Sequence, residues 1–256
     1  MKPYYIENIK LSLQNSITKL AENPMLFLKN PGKDFTRNRR INFDTFIKIT
    51  MQSSGGSMNK ELLDYFDFST KTPSVSAYTQ QRSKVLPEAF EFLFHEFTDN
   101  NLPSNNLHKG YRLIACDGSN LTIASNPKDA ETFQKSNQFN TSNHMHINAF
   151  FDVTNRIYLD TIVQTLSERN EYRACAQMID CSDIKDNVIL IADRGYENYN
   201  IIAHAIEKGW KFVIRAKDIH SNGIASALSL PLVNTFDEDV SLIWGRSQKK
   251  SKLIKL

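Results

Sequence analysis

Asp117 in "ACDGSN" and Asp193 in "VILIADRGYENYN" are the two acids whose settings suggest chemistry, because each follows a short apolar run. Ending a strand on Asp costs little at a solvated turn, so neither residue is informative alone. Two carboxylates meeting at one sheet edge would repel, and a shared proton or a bound divalent cation resolves that repulsion. Magnesium suits such a site better than a softer ion, since the donors are oxygens and no His and Cys cluster competes. Five further side chains bear on it. His144 and His146 fall on the same side of a regular strand, as ligands would, yet have no evident third partner. Glu168 and Glu171 are candidates for a third acid, though Glu near a helix start is common for dipole reasons alone. Arg194 suits a phosphate contact or an ion pair with a nearby acid equally well.

The elements that must position these residues are readable from texture. "YRLIACDGSNLTI", "HMHINAFFDV" and "RIYLDTIVQTL" are rich in β-branched and aromatic residues and predict three strands, the last two joined by a short turn. "SERNEYRACAQMIDC" has helical spacing at Ala174, Met178 and Cys181, "VILIA" reads as a buried strand, and "NYNIIAHAIEKG" predicts a helix ended by Gly209 before the strand "KFVIRA". An antiparallel meander therefore leads into parallel strands within an α/β layer. A helical crossover joins parallel strands, so the segment ending in Asp193 should run parallel to the first strand and bring Asp193 to the edge where Asp117 lies. Ligand sites in open α/β sheets form at such carboxyl ends.

Residues 1 to about 100 read as helical. "MNKELLDYFDF" carries apolar residues at helical spacing, "STKTP" breaks the pattern, and "SVSAYTQQRSKVLPEAFEFLFHEF" resumes it, with Thr72 and Pro73 as cap and first-turn pair. This is the shape of a helix-turn-helix whose second helix would present Ser76, Thr79, Gln80, Arg82, Ser83 and Lys84 to phosphates and base edges. It also fits an ordinary helical hairpin with a polar outer face. Upstream, "DFTRNRRINF" clusters Arg37, Arg39 and Arg40, a phosphate contact or a solvated turn.

Composition sets bounds on function. The 256 residues are 41% hydrophobic and 23% charged, so disorder is not the default. No apolar run approaches the roughly 20 residues that span a bilayer, and the chain reads as cytoplasmic. Cys116, Cys175 and Cys181 are odd in number and lack zinc-site spacing, which implies reduced, mostly buried thiols. The net charge of +3 comes from the end of the chain. "RSQKKSKLIKL" holds Arg246, Lys249, Lys250, Lys252 and Lys255 and no acid, whereas the rest of the chain carries 26 basic and 28 acidic residues. Such a terminus binds a polyanion or is a solvated tail.

Two chemistries use an Asp on the first strand of such a sheet. A phosphatase with an Asp nucleophile needs an acid two residues on, and Ser119 stands there instead. Two-metal phosphoryl transfer needs at least three acids. The segments "GKDFTRNRRINF", "TPSVSAYTQQRSK", "ACDGSNLTI", "NHMHINAFFDVTNRIYLDTIVQ", "NEYRACAQMID" and "IADRGYENYNIIAHAIEKGWKFVIRAKD" together resemble the DDE transposases of the insertion-sequence-four group, from about residue 30 onward.

That resemblance implies an α/β fold: a helical DNA-binding region over 1–104, the first part of a ribonuclease-H-like mixed sheet over 105–218, and the start of a β-rich insertion over 219–256. It implies that Asp117 bridges two Mg2+ or Mn2+ ions and that Asp193 holds one of them. The implied partner is double-stranded DNA, the terminal inverted repeats of an insertion sequence, contacted by Arg37, Arg39, Arg40, Gln80, Arg82, Lys84, Arg194, Lys249 and Lys250. It also implies self-association at full length, no membrane, and a cytoplasmic protein that joins the bacterial nucleoid when bound to DNA. The family's third acid is a Glu in a motif of Tyr, Arg, Glu and Lys beyond the insertion. No segment here matches it, so a C-terminally truncated, inactive DNA-binding fragment or regulator is the alternative expectation. A structural or metabolic α/β protein is the reading if the resemblance is set aside.

Overall fold

The computed structural model describes residues 3–103, 105–135, 141–218, 221, 223–228, 230, 231, 233 and 235–240. The chain divides into two units, residues 1–102 and 103–256.

The first unit is helical: α1 (Pro3–Glu22), α2 (Phe43–Gln52), α3 (Met58–Tyr65), α4 (Val75–Arg82) and α5 (Glu88–Asn101). Its core gathers Leu20, Phe46, Ile47, Leu62, Tyr78, Ala89 and Leu93, all nearly inaccessible to solvent. Two expectations are corrected here. The cap of α4 is Ser74, whose side chain accepts from the Ala77 N–H, while the Thr72 hydroxyl donates to the Ser69 carbonyl. The long helical pattern after Pro73 is two helices, because Pro87 lacks the N–H that would continue α4 and instead opens α5. The break after α3 is also wider than a helix-turn-helix turn. It spans residues 66–74 and opens with Asp67 and Phe68 in the left-handed region, at φ 50° and 54°.

The second unit is a ribonuclease-H-like mixed sheet with helices. Its strands are β1 (Arg112–Ile123), β2 (Phe133–Lys135), β3 (Thr141–Asp152), β4 (Ile157–Thr165), β5 (Val188–Ala192) and β6 (Lys211–Ile214), with α6 (Glu171–Cys181) and α7 (Tyr199–Glu207) as crossovers. The strand order is β2–β3–β1–β5–β6, and β4 also pairs with β3. β1, β3 and β4 form the antiparallel meander, and β5 and β6 continue it in parallel. The short β2 on Thr141–Asn143 had no signal in the sequence reading. Residues 241–256 lie outside the described residues, and with them the expected strand "VSLIW" apart from its first residue Val240, as well as Lys249 and Lys250. The described part of 219–256 holds one 3-10 turn, Ile224–Ala227. No described helix is long and apolar enough to cross a membrane.

Alternation gives the sheet two different faces. Arg112, Ile114 and Cys116 of β1, and Val188, Leu190 and Ala192 of β5, are buried on the face where α6 packs against β3 and β4, its Cys175 meeting Cys116, and α7 packs against β6. Leu113, Ala115, Ile189 and Ile191 occupy the other face and are only part-buried, and Asp117 there is exposed.

Arg112 anchors the start of β1. It is 1% exposed; its Nη1 donates to Asp152 Oδ2 at 2.5 Å, its Nε to Asp186 Oδ2 at 2.7 Å and its Nη2 to the Pro103 carbonyl at 2.8 Å. One guanidinium thus ties the end of β3 and the approach to β5 to the first residue of β1. Removing one partner of a buried pair strands the other charge, so Arg112→Ala is expected to destabilise the protein by about 3–5 kcal/mol. Urea unfolding of the whole chain followed by circular dichroism measures this, and a loss below about 1 kcal/mol would show that the clamp is dispensable.

Candidate active site

The register between β1 and β5 sets the candidate site. The two strands run parallel with Arg112 opposite Val188 and Cys116 opposite Ala192, where the pairing ends. The next residue on each strand is an aspartate. Asp117 and Asp193 therefore leave adjacent strands side by side, and the alternation of each strand turns both away from the face that α6 and α7 cover. Both are exposed.

Each carboxylate is oriented by a backbone N–H just ahead of it. Asp117 Oδ1 accepts from Gly118 N at 2.8 Å, and Asp193 Oδ1 accepts from Gly195 N at 2.8 Å. No described group donates to either Oδ2. The glycine in "DRG" has a steric reason: a Cβ at Gly195 would sit 2.8 Å from Asp193 Oδ1. Asp193 also lines an open hollow with Arg194, Lys217, Asp218 and Ser221, so two cations stand beside it at the carboxyl ends of β5 and β6. Two oxygen-only carboxylates with open Oδ2 atoms fit a hard divalent cation. Among the described residues, no three His, Cys, Asp or Glu side chains converge as a metal-holding group.

The remaining candidates lie elsewhere in this unit. Glu171 opens α6 on the covered face, where its Oε1 meets Arg169 Nη2 at 2.7 Å and His146 Nε2 at 3.1 Å. Its charge is spent on those neighbours, on the opposite face from Asp117. Glu168 is exposed in the turn after β4 and accepts from the Thr165 hydroxyl. His144 contacts the Thr122 and Ser142 hydroxyls, whereas His146 sits 1% exposed between Asn120 and Glu171. The sequence reading missed the packing that underlies Asp117: His146 and Asn148 lie over Gly118, where an added Cβ would meet His146 Nε2 at 2.7 Å and Asn148 Oδ1 at 3.3 Å. Only the glycine after Asp117 signalled it. Beneath the acids, Cys116 and Cys175 are buried free thiols, and a bond to Cys116 together with burial pushes the Cys175 thiol up; Cys181 is exposed.

A family model described as the transposase DDE domain matches residues 108–247. The chain belongs to this family. A comparison with curated proteins gives no match. The matched span contains the whole sheet with Asp117, Asp193, Arg194 and Glu171, and does not include the helical unit.

In the helical unit, Arg37, Arg39, Gln80 and Arg82 are exposed. Arg40 is exposed as well, but its Nη1 donates to the Lys71 carbonyl at 2.7 Å. Lys84 is part-buried, with its Nζ on Gln81 Oε1 at 2.9 Å and over the Phe35 ring. α4 buries Tyr78 and Gln81 and turns Ser76, Thr79, Gln80 and Arg82 outward.

Two outcomes follow from the packing under Asp117. Gly118→Ala must displace the buried His146 or Asn148 and is expected to cost about 1–3 kcal/mol in denaturant unfolding; an unchanged midpoint would mean the cleft over Gly118 has slack. His146 is held below its usual value of 6.5, first by burial and then by Arg169. The unfolded chain takes up this proton more readily than the folded one, so the His146 contribution is complete above about pH 6.5 and is lost as the pH falls below it. His146→Gln is expected to flatten that fall in stability between about pH 6.5 and 5, which unfolding midpoints across the range would report.

Proposed function

We propose that this protein is a DNA transposase that cuts and rejoins phosphodiesters at the terminal inverted repeats of an insertion sequence of the insertion-sequence-four group. The supporting observation is the register of β1 and β5, which sets Asp117 beside Asp193 within a span matched by the transposase DDE domain. Asp117 and Asp193 are the two carboxylates that would hold divalent cations, magnesium or manganese. When bound, such a cation supplies Lewis-acid charge at the phosphoryl oxygens. Arg194 and Lys217, beside Asp193, draw the DNA phosphate to the carboxyl edge of the sheet. The glycines at 118 and 195 hold the carboxylates in place through their N–H groups. The helical unit binds double-stranded DNA through Arg37, Arg39 and Lys84 on the backbone, with Gln80 and Arg82 on the outer face of α4. Self-association of the full-length protein belongs to this reading.

A second reading is kept because no segment of the sequence matches the Tyr, Arg, Glu and Lys motif that the resemblance implies. On it, the 256-residue polypeptide binds DNA without cleaving it and acts as a regulator.

Two measurements test these readings. Mn2+ or Mg2+ is expected to raise the thermal unfolding midpoint of the wild-type chain; Asp117→Asn and Asp193→Asn should each abolish the shift, and Gly195→Ala should weaken it. DNA affinity should be unchanged in all three, and a cation shift that persists in both Asp variants would remove the pair from the site. Incubated with labelled repeat ends and either cation, the 256-residue polypeptide separates the two readings: cleavage is expected on the first and none on the second. Cleavage abolished by Asp193→Ala would overturn the second reading and support the first.

A further inference from the structure

A second basic feature lies in the helical unit, remote in sequence from the transposase domain. After η-turn residues Pro24–Phe27, the chain pairs briefly with the segment following α4: Lys29 N donates to the Lys84 carbonyl at 2.9 Å and Leu86 N to the Phe27 carbonyl at 2.9 Å. The loop that follows turns at Phe35, which adopts φ 54°, a conformation costly for a bulky residue. Phe35 is held there by ring contacts with Phe43 at 5.7 Å and Phe46 at 6.5 Å. From Phe35 the chain runs to Ile41, which is 3% exposed and anchors the far end of the segment.

Between these anchors most side chains face one hollow. Arg37, Arg39 and Ile41 line one hollow, whereas Arg40 turns the other way to the Lys71 carbonyl. Lys33 and Lys84 complete the hollow, which measures about 180 Å³. Its lining contains four cations and no carboxylate. The nearest acid in the loop, Asp34, is engaged by the backbone and side-chain amides of Asn30. Lys84 is pre-positioned by Gln81, which is 3% exposed, and by the Phe35 ring 5.5 Å away. Lys33, Arg37 and Arg39 have no side-chain ion pair among the described residues. Four like charges held around one small concavity are mutually repulsive, and an oxyanion seated among them relieves that cost.

We propose that the hollow lined by Lys33, Arg37, Arg39 and Lys84 is a phosphate subsite that seats a single backbone phosphodiester of double-stranded DNA. The assignment rests on the reading that the helical unit binds DNA. It adds Lys33 to the contact set, removes Arg40 from it as a brace of the loop, and converges the cations on one phosphate. A bidentate guanidinium and an ammonium on the same phosphate fix the position of the unit along the duplex without reading sequence.

The number of phosphates is measurable, because the slope of log affinity against log salt changes by about 0.9 for each phosphate released in B-DNA. Fluorescence anisotropy of the 256-residue chain on a labelled duplex carrying the repeat, across a sodium chloride series, gives that slope. Lys33→Gln, Arg39→Gln and the quadruple variant Lys33→Gln, Arg37→Gln, Arg39→Gln, Lys84→Gln are compared with wild type, with circular dichroism confirming that each is folded. The quadruple variant is expected to lose about 0.9 of slope in total, as for one phosphate, while each single variant leaves the slope unchanged because the remaining cations still neutralise that phosphate. A loss of about 3.6, as for four separate phosphates, would overturn the shared pocket. An unchanged slope in the quadruple variant would overturn the backbone contact. If inorganic phosphate then broadened its own phosphorus resonance with wild type and not with the quadruple variant, the pocket would belong to a free phosphate ligand instead. Absence of DNA binding by wild type would count against the DNA-binding reading itself, a result distinct from all of these.

Discussion

A guanidinium buried at the first residue of β1 fixes the register on which the rest of the sheet depends. Arg112 joins Asp152, at the end of β3, to Asp186, on the approach to β5, and the Arg112 N–H donates to the Asn187 carbonyl as the parallel ladder begins. Strand register is specified by such long-range constraints together with side-chain alternation, and a slip of one residue turns every side chain to the other face. A slip of β1 against β5 would bury Asp117 under α6 and α7 and expose Cys116. The charged clamp is costly to desolvate and is met with four close contacts, which is consistent with a device that secures one arrangement rather than one that maximises stability.

The two faces divide the labour. Beneath the carboxyl ends of β1 and β5 lie small or apolar groups, Cys116 and Ala192, so the acids stand on a dry, packed base. Beyond them the covered face becomes polar, with Asn120, His146, Asn148, Gln164 and Glu171 interlinked. Burial, followed by the Arg169 charge, holds His146 below its usual value. Glu171 is compensated by Arg169 and adds little negative charge to the exposed pair on the other face.

The strands β1, β3, β4, β5 and β6 and the helices α6 and α7 were legible because alternation, β-branched runs and the glycine at 209, which sits at φ 75°, all agree on them. The adjacency of Asp117 and Asp193 followed from connectivity alone, since a helical crossover enforces parallel neighbours. What escaped the reading depends on contacts far apart in sequence. Arg112 looked like any strand-opening Arg, and nothing local marks Asp152 and Asp186 as its partners. Ser74 and Thr72 are equally good caps by type, and the choice between them is made by where the chain leaves α3 through two left-handed residues. β2 is held by three pairs on the end of β3 and carries no pattern of its own.

If the helical unit binds DNA as proposed, it separates affinity from recognition on physical grounds. The outer face of α4 offers hydroxyls and an amide at Ser76, Thr79 and Gln80, groups that discriminate base edges and supply little Coulombic attraction. The loop from Lys33 to Arg39 offers the reverse, charge without donor–acceptor variety. On the proposed reading, a unit that placed all its cations on α4, rather than Arg82 alone, would bind any duplex tightly in any register, and one without the loop would lack the charge that steers α4 toward DNA. Lys84, following α4 in the chain and bonded to Gln81 within it, ties the two together. On the proposed reading, a phosphate seated in the loop would set the distance at which the helix meets the groove, which is how a contact carrying no sequence information would sharpen the contacts that do.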